Sequence, residues 1–144
     1  MQGGNIEDVI LFQIDKTSKI SKIYSQREFD KAGLGITIEQ WVLLKIIEES
    51  EELSQRELAE RSSRDPASIT RTLDLLSKRG LVNREQMPDN RRQYQIVLTE
   101  KGADFVTTHM AMVSEHRKLS VKGFSEQELT VLRSMLERIQ VNMS

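Results

Sequence analysis

Residues 54–80 read SQRELAERSSRDPASITRTLDLLSKRG. This stretch predicts two short helices joined by a tight polar turn. Asp65 can cap free backbone N–H groups, and Pro66 suits the first helical position because it has no N–H to leave unpaired. Gly80 can take the left-handed conformation that ends a helix. Ile69, Leu73 and Leu76 fall at i, i+4 and i+7 and form one apolar stripe. The other face carries Ala67, Ser68, Thr70, Arg71, Thr72 and Lys78. It is small and polar near the N-terminus, and basic. A helix entering the DNA major groove by its N-terminal turns needs that combination, because bulky residues would hold its backbone away from the base edges.

The chain after Gly80 changes period from 3.6 to 2. Leu81 to Glu85 predicts a short strand, and Met87-Pro88-Asp89-Asn90 is turn chemistry. Gln93 to Thr99 alternates, with Tyr94, Ile96 and Leu98 on one side and Gln93, Gln95 and Val97 on the other. Two strands joined by a turn bearing Arg91 and Arg92 make a hairpin with a basic tip. Directly after a helix-turn-helix, such a hairpin is a wing. Its arginines suit the narrow minor groove, whose negative potential attracts guanidinium groups.

Upstream, Thr37 to Gln40 and Ser54 to Glu57 are capping boxes, in which the cap hydroxyl and the longer side chain each satisfy the other's backbone N–H. The first opens a helix with Ile38, Trp41, Val42, Leu44, Ile46 and Ile47, ended by the acidic run Glu48, Glu49, Glu51 and Glu52. The second opens the first helix of the pair, with Leu58 and Ala59 facing inward. Met1 to Gly4 are expected to be disordered. Asn5 is expected to cap a long helix from Ile6 to about Lys31, carrying Ile6, Val9, Ile10, Leu11, Phe12, Ile14, Ile20, Ile23, Tyr24 and Phe29; Gly33 and Gly35 break it. Downstream, Thr99 can cap a helix with Ala103, Val106, Met110 and Val113 on one stripe, running to about Val121. Ser125 to Glu128 is a third capping box, opening a last helix with Leu129, Leu132, Leu136 and Ile139. That spacing wants a partner helix.

The fold class is therefore mostly α with a small β-hairpin wing. It is a winged helix-turn-helix core plus N- and C-terminal dimerisation helices. In one domain of 144 residues, the core spans 36–102 and the flanking helices 5–32 and 103–142. The flanking apolar stripes are too large to leave in water. Packing them on a second copy would bury them and relate two recognition helices by a two-fold axis; the competing reading is that they cover the chain's own core.

Composition removes other classes. The chain has no Cys, so no disulfide scaffold, zinc-thiolate site or thiol redox switch is available. No apolar run approaches the roughly 18 residues a membrane span needs, and no signal peptide opens the chain, so a cytoplasmic location and no membrane partner are expected. Net charge is −1, which excludes a generic polyanion binder. Placement matters more than the total: residues 54–102 hold ten Lys and Arg against seven Asp and Glu, whereas residues 1–53 hold six against ten. The basic excess sits on the helix pair and hairpin, the sign expected of a DNA-facing surface.

No nucleophile with a matched base, phosphate-binding glycine loop or metal-ligand cluster is present, so no enzyme and no cofactor are expected. His109 and His116 share a helix face, but a metal site would need further ligands that nothing specifies. Base contacts are assigned to Ser68, Thr70 and Arg71, with Arg71 suited to bidentate pairing with guanine. Pro66 and Ala67 permit close approach. Ser54, Gln55, Arg64, Lys78 and Arg84 are assigned to phosphates, which position without specifying. Tyr24, Trp41 and Met110 could wall an apolar effector pocket, or could be plain core. The alternative function is a winged helix used only for protein contacts, which would not need Arg91 and Arg92 at the tip or a small polar recognition-helix start.

The segments ITIEQWVLLKII, LSQRELAER, SITRTLDLLSKRGLVNRE and NRRQYQIVLTEKG together resemble the MarR family of bacterial transcriptional regulators, across about Ile6 to Ile139. The last segment is the most specific, with paired arginines, an alternating strand and Leu-Thr-x-x-Gly. The resemblance implies an obligate, triangular, mostly helical homodimer. It implies binding to a palindromic operator in double-stranded DNA, usually as a repressor, and release by a small aromatic or lipophilic ligand. It also implies that the helix matching Asp65 to Arg79 reads the major groove and that Arg91 or Arg92 enters the minor groove. One departure stands out. The family's wing reads Asp-Arg-Arg, whereas this chain has Asn90-Arg91-Arg92 with Asp89 one step earlier, which leaves the choice of arginine open.

Overall fold

The computed structural model describes residues 4–144. The expected disorder of Met1 to Gly4 thus falls, Gly4 apart, outside the described residues. The elements run in the order α1 (Ile10–Lys31), α2 (Ile38–Glu49), α3 (Gln55–Ser62), α4 (Pro66–Lys78), β1 (Val82–Met87), β2 (Asn90–Leu98), α5 (Glu100–Ser120) and α6 (Glu126–Asn142), with a single 3-10 turn at Ile6–Asp8 before them. The chain divides into two compact units, Met1–Thr108 and His109–Ser144, with the division inside α5.

Capping chemistry sets the helix starts. Thr37 and Gln40 exchange hydrogen bonds at the head of α2, as do Ser54 and Glu57 at α3 and Ser125 and Glu128 at α6. At α4 the Asp65 carboxylate accepts from Ser68 N at 2.9 Å, with Pro66 in the first turn. Thr99 heads α5, its hydroxyl accepting from Gly102 N at 3.0 Å. Each such cap contributes on the order of 1 kcal/mol. The first helix departs from expectation. Asn5 N donates to the Asp8 carboxylate at 3.1 Å, which closes a short 3-10 turn on itself. Val9 is then extended, and α1 begins only at Ile10 with no side-chain cap.

The core of the first unit lies where α2, α3, α4 and the start of α5 converge. Trp41 is fully buried, with Phe29 of α1 edge-on at 6.2 Å and Phe105 of α5 tilted at 6.4 Å. Around it Leu43, Leu44 and Ile47 of α2, Leu58 of α3, and Ile69, Leu73 and Leu76 of α4 are buried. Leu43, unremarked in the α2 stripe, is buried, whereas Val42 is exposed. On α5, Val106 and Val113 of the predicted stripe are buried and Met110 is half-buried, and only its first position departs. Ala103 is exposed and Gly102 is buried. A Cβ at Gly102 would stand 2.0 Å from the Leu81 carbonyl oxygen, so only glycine lets α5 approach the chain there. Gly80, with φ of +75°, ends α4 as predicted.

β1 and β2 form one antiparallel pair, with Val82 opposite Leu98 and Gln86 opposite Tyr94. Ile96 N also donates to Leu53 O at 2.8 Å, so the loop before α3 holds the stem of the hairpin to the helix pair. Both strands run closer to the tip than predicted. The register jumps from Gln86–Tyr94 to Met87–Asn90, so Arg91, Arg92 and Gln93 bulge from β2 rather than sitting in the turn. Asn90 Oδ1 accepts from Arg92 N at 3.0 Å, a local turn that favours the bulge.

In the second unit α6 follows the predicted span, but no residue of it is buried. Among the described residues no helix is long and apolar enough to cross a membrane.

Candidate nucleic-acid interface

The turn between α3 and α4 is built by one left-handed residue. Ser63 has φ of 57°, which lets Arg64 N reach back to Ala59 O at 3.1 Å and ends α3. The chain then reverses within Arg64 and Asp65, and α4 starts at Pro66. Its first turns present Pro66, Ala67, Thr70 and Arg71 to solvent. Arg71 makes no ion pair or hydrogen bond among the described residues.

Two predicted members of the outer face are not on it. Ser68 and Thr72 are each only 8% exposed. The Ser68 hydroxyl accepts from Arg64 Nη2 at 2.5 Å, and its backbone N–H is spent on Asp65. The apolar stripe of α4 is wide enough to take in these two flanking positions, because a helix seated in a groove buries neighbours of the stripe as well as the stripe. Ser68 therefore braces the turn in this conformation, while Thr70 and Arg71 keep the exposed positions assigned to base contact.

Arg64 is likewise engaged. Its Nη1 meets Glu39 Oε2 of α2 at 2.5 Å, and Lys22 of α1 lies 3.8 Å from the other Glu39 oxygen. The other cations of residues 54–102 fall into two groups. Arg56 pairs with Glu60 at 3.2 Å and Arg61 with Glu49 at 2.8 Å. Arg79 lies over the Phe105 ring and donates to the Gly35 and Leu34 carbonyls. Lys101 donates to the Arg79 carbonyl. Arg84 donates to Gln55 Oε1 at 2.7 Å. Arg71, Lys78, Arg91 and Arg92 have uncommitted side chains among the described residues, and all are exposed. Within residues 54–102, the charge available to an anion is thus concentrated on α4 and the wing. Charge counting along the sequence could not separate these four from the paired ones, since Glu49 and Glu39 reach them from another helix.

At the head of α3, Ser54 Oγ accepts from Glu57 N at 3.0 Å, which leaves its proton able to donate to a phosphate. Gln55 is half-buried and holds Thr70 Oγ1 at 2.8 Å. This link across the helix pair, and its continuation to Arg84, was missed at the level of sequence; the partners lie 15 and 29 residues apart, and no local pattern records them.

Of the residues assigned to an effector, Tyr24 is half-buried and Trp41 fully buried in the first unit, and Met110 is half-buried in the second. Trp41 Nε1–H is buried with no acceptor among the described residues. No grouping of three or more His, Asp or Glu suited to a metal occurs among the described residues.

Comparison with known proteins agrees with this fold. Residues 36–94 match the model of the MarR family. The chain superposes on a MarR/EmrR family transcriptional regulator from Acinetobacter sp. ADP1 with a TM-score of 0.89 at 20% identity, over 97% of this chain and 98% of that one. It superposes on CouR from Rhodococcus jostii RHA1, solved with p-coumaroyl-CoA, with a TM-score of 0.85 at 24% identity over 95% of both chains. MepR from S. aureus, solved as a DNA complex, matches with a TM-score of 0.85 at 19% identity over 97% of this chain and all of that one (100%).

Proposed function

We propose that the chain is a transcriptional regulator of the MarR family, whose model residues 36–94 match, and that it is a ligand-responsive repressor that binds a palindromic operator as a homodimer. One observation carries the DNA part of this reading. Within residues 54–102 the uncommitted cations, Arg71, Lys78, Arg91 and Arg92, gather on α4 and the wing, beside a recognition-helix start of small residues. Arg71 reads a base edge, Thr70 lies beside it, and Pro66 and Ala67 keep the backbone close. Lys78, Arg84, Ser54 and Gln55 meet phosphates. One of Arg91 and Arg92 enters the minor groove; their bulge leaves both residues unpaired with β1. Arg64 reaches phosphate only by leaving Glu39, and Ser68 acts behind the surface. That MepR was solved as a DNA complex supports DNA as the partner.

The dimer part rests on exposed apolar stripes. Ile6, Val9, Ile10, Leu11, Ile20 and Ile23 are exposed before and along α1, and Val131, Leu132, Met135 and Val141 on α6. The helices at 5–32 and 103–142 bury them on a second copy. Release by a small aromatic or lipophilic compound is the third part, supported by CouR having been solved with p-coumaroyl-CoA. The unpaired Trp41 Nε1–H supports it too, as a buried donor that a ligand oxygen can satisfy. Tyr24 is the accompanying candidate in the first unit.

The test is selection of bound duplexes from a random pool, followed by affinity measurement against salt. A palindromic consensus, preferred about a thousandfold or more over random DNA, with a steep salt slope, is the expected result. Absence of binding to any duplex at low salt would favour a protein-contact module instead.

A further inference from the structure

Three side chains from three elements meet on the exposed face of the first unit. Gln55 opens α3, Thr70 lies in α4 and Arg84 lies in β1. Arg84 Nη2 donates to Gln55 Oε1 at 2.7 Å, and Gln55 Nε2 donates to Thr70 Oγ1 at 2.8 Å. Thr70 Oγ1 in turn donates to Pro66 O at 3.0 Å. Donor chemistry sets the direction of this relay. A guanidinium can only donate, so the amide must turn its oxygen to Arg84 and its NH₂ to Thr70. The Thr70 proton is then directed into its own helix, and the hydroxyl accepts from Gln55. Glutamate at position 55 could receive Arg84 but could not donate to Thr70.

We infer that Gln55 is a positioning residue of the DNA interface, tying the wing stem to the recognition helix so that both meet the duplex as one preformed unit. The inference deepens the regulator reading above and rests on it. A lone exposed arginine loses rotamer freedom when it docks on a phosphate, whereas a tethered one has already lost much of it. Arg84 keeps further N–H donors without partners among the described residues, so the tether leaves it able to bind phosphate. Thr70 is tuned as well. With its proton committed, it offers a base an acceptor lone pair and a methyl group but no donor, a chemistry suited to apolar contact with a thymine methyl.

The experiment is a double-mutant cycle of Gln55→Ala and Arg84→Ala on the duplex selected by the wild-type chain, with affinity measured across a salt series. Each single variant is expected to weaken binding by about tenfold, and the double variant to be little worse than the weaker-binding single. Arg84→Ala lowers the salt slope by about one. Gln55→Ala removes no charge, yet is expected to lower the slope towards the Arg84→Ala value, which a purely structural role would not do. Thermal midpoints should stay near wild type, because the relay is exposed; if Gln55→Ala fails to fold, Gln55→Met carries the same cycle with the side-chain length kept. Single losses that multiply in the double variant, or an unchanged salt slope in the Gln55 variant, would overturn the inference alone. A wild-type chain that selects no sequence would overturn the regulator reading and the inference with it.

Discussion

Helices α4 and α6 are alike in sequence and opposite in environment. Both are opened by a side-chain cap and both carry apolar residues at helical spacing. On α4 the stripe of Ile69, Leu73 and Leu76 is buried, and its width draws in Ser68 and Thr72. On α6 no residue is buried, and Val131, Leu132 and Met135 stand exposed. Apolar periodicity therefore reports that a helix has a face to hide, without saying which molecule hides it. The N-terminal part of α1 behaves like α6, and its C-terminal part, with Ser25 and Phe29 buried, behaves like α4.

Substitutions can break or sharpen this contrast. The largest effect is expected at Leu73, where truncation to Ala leaves a cavity in the first unit and costs about 2–5 kcal/mol. Denaturant unfolding followed by the emission of Trp41, the sole tryptophan, should show that loss at every protein concentration. Leu132→Asp on α6 should behave differently. It weakens association at least tenfold, about 1.4 kcal/mol, so sedimentation should show more monomer and the melting midpoint should depend on concentration. If Leu132→Asp lowered stability in a concentration-independent way, α6 would be covering its own chain and the contrast would fail.

Smaller effects test the reading face of α4. Arg71→Ala should cost about 1–3 kcal/mol on selected DNA and relax preference at one position, whereas Lys78→Ala should weaken all duplexes alike and lower the salt slope by about one. Equal losses on selected and random DNA for Arg71→Ala would remove it from base reading. Smallest is the cap. Asp65→Ala should destabilise by about 1 kcal/mol, read as a lowered denaturant midpoint, and should loosen the Ser68 end of the helix where Arg64 is held.

Much of the first unit was legible in the residues themselves because its signals are local. Capping boxes, a proline at a helix start and glycines at positive φ act within one turn of chain, so Thr37, Ser54, Asp65 and Gly80 mark element ends directly. At Asn5 the same kind of cap contact heads only a 3-10 turn, because Val9 is extended and interrupts the helix before Ile10. The candidate site was legible as residue types on one helix and one hairpin. Its wiring was not, because Glu39 reaches Arg64 across 25 residues and Gln55 reaches Arg84 across 29.

By itself, then, the chain of residues determined the helices, the wing and the basic, small-residued start of α4, because periodicity and capping are short-range physics. Tertiary structure alone decided which cations remain uncommitted, which face of α5 needs Gly102, and how far burial spreads across α4. Those outcomes depend on which distant carboxylate, carbonyl or apolar surface arrives beside each side chain, and only packing brings those groups together.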